Sequence, residues 1–232
     1  MSRLENEDTG AIRPAELYVQ IPPERVAQAR HASAALGDAV YTKFPMKAGM
    51  SPMDDDLPEL VLNRTWRPQL AVTGIDGLPS PVNAGNVLLP STIAKLSLRL
   101  PPTLDSARAC DIVRTLLEKD PPYGARVAYE PESNAVGWQA PTLSPWLEQS
   151  LTQASKTVFG APLAYMGEGG TIPFMAMLGE KFPHAQFVVT GVLGPHSNAH
   201  GPNEFLHIPT GKRVSAVIAQ VLADHHAQAG KH

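Results

Sequence analysis

The stretch "TIAKLSLRL", residues 92–100, decides how the first part of this chain folds. Leu96, Leu98 and Leu100 fall on one side of an extended backbone; Lys95, Ser97 and Arg99 fall on the other. Alternation with a period of two marks a strand with one buried face and one wet face. Upstream, "QLAVTGIDG" (69–77) reads as a strand running into a glycine turn. Downstream, Asp105 is placed to cap a helix that carries Ala109, Ile112, Val113, Leu116 and Leu117 on one face and stops before Pro121-Pro122. "ARVAYE" (125–130) is expected as a further strand. Before these elements, Pro22-Pro23 opens a helix with Val26, Ala29, Arg30 and Leu36 that Gly37 interrupts, and "MDDDLPELVL" (53–62) suggests a short helix with acids at its start. Residues 1–138 are thus expected to form one α+β layer, with helices on one face of a largely antiparallel sheet.

After "GWQAPTLSP" the pattern changes. Ser144 and Pro145 suit the cap and first position of a helix with Leu147, Leu151, Ala154 and Val158 at helical spacing, ended by Gly160. "PLAYM" (162–166) reads as a short strand, "IPFMAMLGEKF" as a helix, and "QFVVTGVL" (186–193), apolar without alternation, as a strand of a sheet covered on both faces. The last helix places Val214, Val217, Ile218, Val221 and Leu222 on one stripe. Residues 139–232 therefore predict a parallel βαβα segment.

The bulk properties exclude several classes. The chain has 232 residues and a net charge of −3, which gives no basic face for nucleic acid or an anionic membrane. It contains no apolar run long enough to span a bilayer. One cysteine, Cys110, allows no internal disulfide and fits a reducing compartment, so a cytoplasmic location is expected. The N-terminus is acidic and polar, unlike a signal peptide. Arg3 to Asp8 reads as the end of a surface helix stopped by Gly10, without the helix it would finish.

Two loops follow the expected parallel strands, and ligands of open α/β sheets collect at the carboxyl ends of strands. "GEGGT" (167–171) either cradles an anion on backbone N–H groups or is simply a tight turn. It is no P-loop, since no Lys-Ser/Thr follows the glycines. "GPHSNAHGPNE" (194–204) holds His196 and His200, with His207 just beyond. Imidazole is the commonest protein ligand for zinc, yet there is no nearby cysteine, no H-E-x-x-H spacing and no obvious set of four ligands. By spacing alone each histidine is an ordinary loop residue: His196 shapes the loop, His207 packs at its exit and His184 is exposed. Cys110 lies mid-helix as a core or surface residue, the acids of "DDDLPE" suit a solvated helix start, and no G-x-S-x-G elbow occurs.

"GEGGTIPF", a strand, "SNAHGPNEFLHI" and a closing amphipathic helix together resemble the C-terminal part of the di-zinc metallopeptidases of peptidase family M twenty. That group includes carnosine dipeptidase, aminoacylase, glutamate carboxypeptidase and succinyl-diaminopimelate desuccinylase. "RTWRPQLAVTGIDG" and "NAGNVLLPSTIAKLSLRLPP" resemble the family's lid, or dimerisation, domain.

The resemblance implies an α/β protein: a lid domain over 1–138, then over 139–232 the last segment of an incomplete catalytic domain. It implies that His200 is the last zinc ligand. Gly169, Gly170 and Thr171 would hold the substrate's carboxylate, and Arg99 would reach the same group with its guanidinium fork. Asn86 would lie near the substrate, and Glu204 would support the ligand loop. The implied activity is hydrolysis of a peptide or amide bond beside a free carboxylate, with a small peptide or N-acyl amino acid as substrate, two zinc ions as cofactor and a homodimer formed through the lid. The family's H-x-D motif and Glu-Glu pair do not occur in the sequence, so no catalytic base is assigned and the chain reads as truncated inside the lid's first helix. The alternative is a non-catalytic dimerisation and carboxylate-binding remnant.

Overall fold

A computed structural model describes residues 1–168 and 173–229. The described chain divides into two compact units. The first comprises Met1–Gln139 with Tyr165–Glu180; the second comprises Ala140–Ala164 with Lys181–His232.

In the first unit, α1 (Pro23–Leu36), the single turn α2 (Ala39–Thr42) and α3 (Leu57–Thr65) share a small core of Ala29, Val40, Val61, Leu62 and Trp66. Gly37 ends α1 at φ 55°, a left-handed backbone that a Cβ disfavours. Strands β1 (Gln69–Asp76) and β2 (Ile93–Arg99) form an antiparallel hairpin, with Leu70 opposite Leu98 and Val72 opposite Leu96. The register shifts between Val72 and Gly74. Leu96, Leu98 and Leu100 pack with Leu70 against Leu4, Ile12, Leu17, Ala109 and Val113, the last two from α4 (Ser106–Glu118). The alternation read in 92–100 is thus the face that meets the helix. Asp105 caps α4 as expected: its Oδ1 accepts the backbone N–H groups of Ala107 (2.8 Å) and Arg108 (3.1 Å). At the other end of α4, Arg3 covers free carbonyls, donating to Leu116 (2.8 Å), Lys119 (2.6 Å) and Asp120.

In the second unit, α5 (Pro145–Phe159) packs on α7 (Ile208–Ala229) through Leu147, Leu151, Ala154, Val217 and Val221. Gly160 ends α5 in the left-handed region at φ 71°. Helix α6 (Pro173–Lys181), expected from the sequence, belongs to the first unit up to Glu180.

The mixed α/β class and the small antiparallel sheet stand, but several local expectations need correction. The segments 125–130, 162–166 and 186–193 are not assigned as strands, and the sheet of the described residues has two strands. A parallel βαβα sheet is therefore not formed among the described residues. A strand is completed by the N–H and C=O groups of a neighbour, which periodicity within one segment does not supply. The N–H of Tyr129 goes to the Glu118 carboxylate at 2.8 Å rather than into a ladder. Val188, Val189 and Val192, expected to be covered, are exposed.

Arg3 to Asp8 does not finish a long surface helix. Asn6 N–H bonds Ala11 O (2.8 Å), Arg13 N–H bonds Leu4 O (2.7 Å), and Glu5 bridges to Ile12, which buries Leu4. Gly10 does take the expected positive φ, 66°. Leu222 leaves the α7 stripe and is 64% exposed. Ser144 occupies the cap position of α5, but its hydroxyl accepts no capping hydrogen bond. Among the described residues no helix is long and apolar enough to cross a membrane.

Candidate functional site

The histidine loop belongs to the second unit. Leu193 O anchors both of its ends, accepting the His207 N–H at 2.7 Å and the Ser197 hydroxyl at 2.5 Å. Ser197 is buried, and its own carbonyl accepts the Phe205 N–H at 3.1 Å. Inside this frame Asn198 closes the tip: its carbonyl accepts the Gly201 N–H at 2.9 Å, and its side-chain amide donates to Pro202 O at 2.6 Å. The backbone is left-handed at Gly194 (φ 85°), His196 (61°), Asn198 (53°), His200 (61°) and Asn203 (59°). Such φ values are uncommon for residues other than glycine, and Asn and His are among those that accept them. The loop's Gly, Asn and His content is thus used largely by the backbone.

His200 sits exposed at the tip. Its N–H donates to Glu204 Oε2 at 3.0 Å. Glu204 therefore ties the backbone of His200, and no hydrogen bond holds the imidazole among the described residues. His207 does more than pack. Its Nδ1 lies 2.8 Å from Thr210 Oγ1 and accepts the Thr210 N–H at 3.3 Å. It stands immediately before α7 and uses its ring as the helix cap, a role usually taken by Ser, Thr, Asp or Asn. Sequence reasoning missed this. The only available signal was Thr210 three residues on, the spacing at which a cap meets the first free N–H groups.

The remaining expected positions lie in the first unit or outside the described residues. Arg99 ends β2, paired with Gln69, on the face opposite Leu98. Its guanidinium is exposed and has no ion pair or hydrogen bond among the described residues. Asn86 is exposed on the long connection between β1 and β2, beside fully exposed Leu88. Gly169, Gly170 and Thr171 lie outside the described residues.

Zinc can be tested against the donor set. No group of three or more His, Cys, Asp or Glu side chains is placed to hold a metal ion among the described residues. A structural site uses about four protein ligands and a catalytic one about three plus water. His200 alone does not meet either requirement, so these residues do not fit a complete zinc centre.

The fold is similar to that of solved peptidases. It superposes on the dipeptidase Dug1p from Saccharomyces cerevisiae with a TM-score of 0.66 at 19% identity, over 95% of this chain and 46% of that one. Human carnosine dipeptidase 1 matches with a TM-score of 0.66 at 17% identity, over 96% and 47%. The metallo-carboxypeptidase Sso-CP2 of family M twenty, from Sulfolobus solfataricus, matches at 0.66 and 18% identity, over 95% and 49%. In sequence, the chain is similar to a cysteinylglycine-S-conjugate dipeptidase from Corynebacterium striatum, 28% identical over 175 residues. That match takes in 75% of this chain and 37% of the relative, and the chain spans just under half the length of the structures it superposes on. No family model matches the chain.

Proposed function

We propose that the chain supplies the lid (1–138) and the last catalytic segment (139–232) of a metal-dependent hydrolase of the dipeptidase type. The intact protein cleaves a peptide or amide bond next to a free carboxylate. The observation that carries this reading is the 28% identity over 175 residues to a dipeptidase. In this reading His200 is one ligand of a zinc pair, its backbone held by Glu204. Gly169, Gly170, Thr171 and Arg99 receive the substrate's carboxylate, Asn86 lies beside the substrate, and the lid carries a homodimer contact. An exposed guanidinium without a competing carboxylate suits the role given to Arg99.

A second reading applies to the polypeptide on its own: a carboxylate-binding, dimerising portion without catalysis. It is favoured by His200 being the one zinc ligand that the resemblance assigns to this chain. One experiment addresses both. Cysteinylglycine and its C-terminal amide are titrated into the purified chain by calorimetry, and the dipeptide is assayed for hydrolysis with added zinc. The free carboxylate should bind about tenfold more tightly than the amide, the worth of one charge-assisted hydrogen bond, and Arg99→Ala should erase the difference. Equal binding of the two by the unmodified chain would sink the carboxylate assignment. Stoichiometric zinc with turnover would sink the non-catalytic reading.

A further inference from the structure

Two arginines near the end of α3 meet opposite fates. Arg67 is engaged on both sides, with Nη2 2.6 Å from Glu59 Oε2 and Nη1 2.6 Å from Asn63 Oδ1. Arg64 makes no ion pair among the described residues. Its Nη2 donates instead to the thioether sulfur of Met166, at 3.1 Å in an exposed contact. A thioether is a weak acceptor, so the guanidinium gains little from it.

The contact is fixed by its neighbours. Thr65 follows Arg64 on α3, and Gly167 follows Met166. A Cβ on Gly167 would lie 3.2 Å from Thr65 Cβ and 3.3 Å from Thr65 Cγ2. Thr65 is itself held, donating its hydroxyl to Val61 O at 2.7 Å. Two adjoining pairs of residues thus keep the Met166 sulfur beside the Arg64 guanidinium. Met166 is 36% exposed, so a small oxidant can reach it. Met50 and Met53 are more exposed, but among the described residues neither sulfur accepts a hydrogen bond from a cation.

We propose that Met166 is a site of reversible oxidation to the sulfoxide, and that Arg64 holds the new oxygen. With hydrogen peroxide as oxidant, a sulfur lone pair attacks one peroxide oxygen. The S–O bond forms as the O–O bond breaks, and the second oxygen leaves as water after proton transfer. Sulfur loses two electrons and the peroxide gains them. The product places a strongly dipolar oxygen beside Nη2, where a charge-assisted hydrogen bond replaces the bond to sulfur. Oxidation ordinarily makes a methionine polar and weakens its packing. Here it strengthens the attachment of Met166 to α3. The site uses no residue given a role in the dipeptidase reading and does not rest on it.

The test treats the full chain with hydrogen peroxide and follows each methionine by peptide mass spectrometry. Urea unfolding is measured before and after treatment for the parent, Met166→Leu and Arg64→Ala. Met166 should gain one oxygen at the dose that converts Met50 and Met53. Oxidation elsewhere is common to all three proteins, so differences between them read the Met166–Arg64 pair. The ratio of oxidised to reduced unfolding constants should be about tenfold smaller in the parent than in either variant, the worth of one charge-assisted hydrogen bond. The A and B methionine sulfoxide reductases together should reverse the parent's shift. Met166 left unoxidised at that dose, a parent ratio equal to that of either variant, or a shift that the reductases do not reverse would each overturn the site.

Discussion

Replacing Gly194 with alanine should damage the histidine loop far more than the same change three residues earlier. Gly194 stands at φ 85°, where an L side chain is strained. A Cβ there would lie 2.6 Å from His207 Cβ, 2.8 Å from Thr210 Oγ1 and 3.0 Å from Thr210 Cβ. Those atoms cannot easily retreat, because His207 Nδ1 and Thr210 are joined to each other as the cap of α7, and the His207 N–H holds Leu193 O. The backbone penalty is about 1–2 kcal/mol, and forcing a methyl into an occupied site adds about 1–3 kcal/mol. The sum, about 2–5 kcal/mol, is large enough to open the loop or the start of α7. Gly191 is the internal control: its φ is not positive, and an added Cβ would meet nothing within 4 Å. Thermal and urea unfolding of Gly194→Ala and Gly191→Ala should separate them by at least about 2 kcal/mol, with Gly191→Ala within about 0.5 kcal/mol of the parent. Equal stabilities would refute the account of the loop as a frame locked by Gly194, His207 and Thr210.

Other outcomes follow from the helix ends, the cores and one tyrosine. Asp105→Ala should cost about 1 kcal/mol by urea unfolding, because two backbone N–H groups lose their acceptor; Ser144→Ala should be neutral or stabilising, because the buried Ser144 hydroxyl has no partner among the described residues. Leu147→Ala, at a side chain 2% exposed between α5 and α7, should cost about 2–5 kcal/mol. Tyr129 should ionise near pH 12 rather than 10.0, chiefly through burial, then through its hydrogen bond with Cys110, as followed by phenolate absorbance. A raised acid pKa means the folded chain holds its proton after the unfolded chain has lost it. Stability should therefore fall as pH rises past 10.0 and level off above about 12; a Tyr129 that titrates with the exposed tyrosines would refute this.

Much of the secondary structure was legible because its causes are local. The alternation at 92–100, the Asp105 cap and the leucine and valine stripes of α5 and α7 all follow from which way neighbouring side chains point on one element. The candidate site was legible in kind but not in detail. Its glycine-, asparagine- and histidine-rich loop is visible in the sequence, whereas the left-handed backbone of His196 and His200, and the bond from the His200 N–H to Glu204, depend on where the loop's two ends are tied.

By itself the sequence determined which face of 92–100 is apolar and the limits of α4 and α5, since each depends on residues a few positions apart. Only the tertiary structure decided that 186–193 forms no strand of a sheet among the described residues, because pairing needs the backbone of another segment. It also decided that His207 caps a helix and that, of two neighbouring arginines, Arg67 is paired while Arg64 is left with a thioether. Charge and donor capacity are properties of a residue, but whether they are satisfied is a property of what the fold brings beside it.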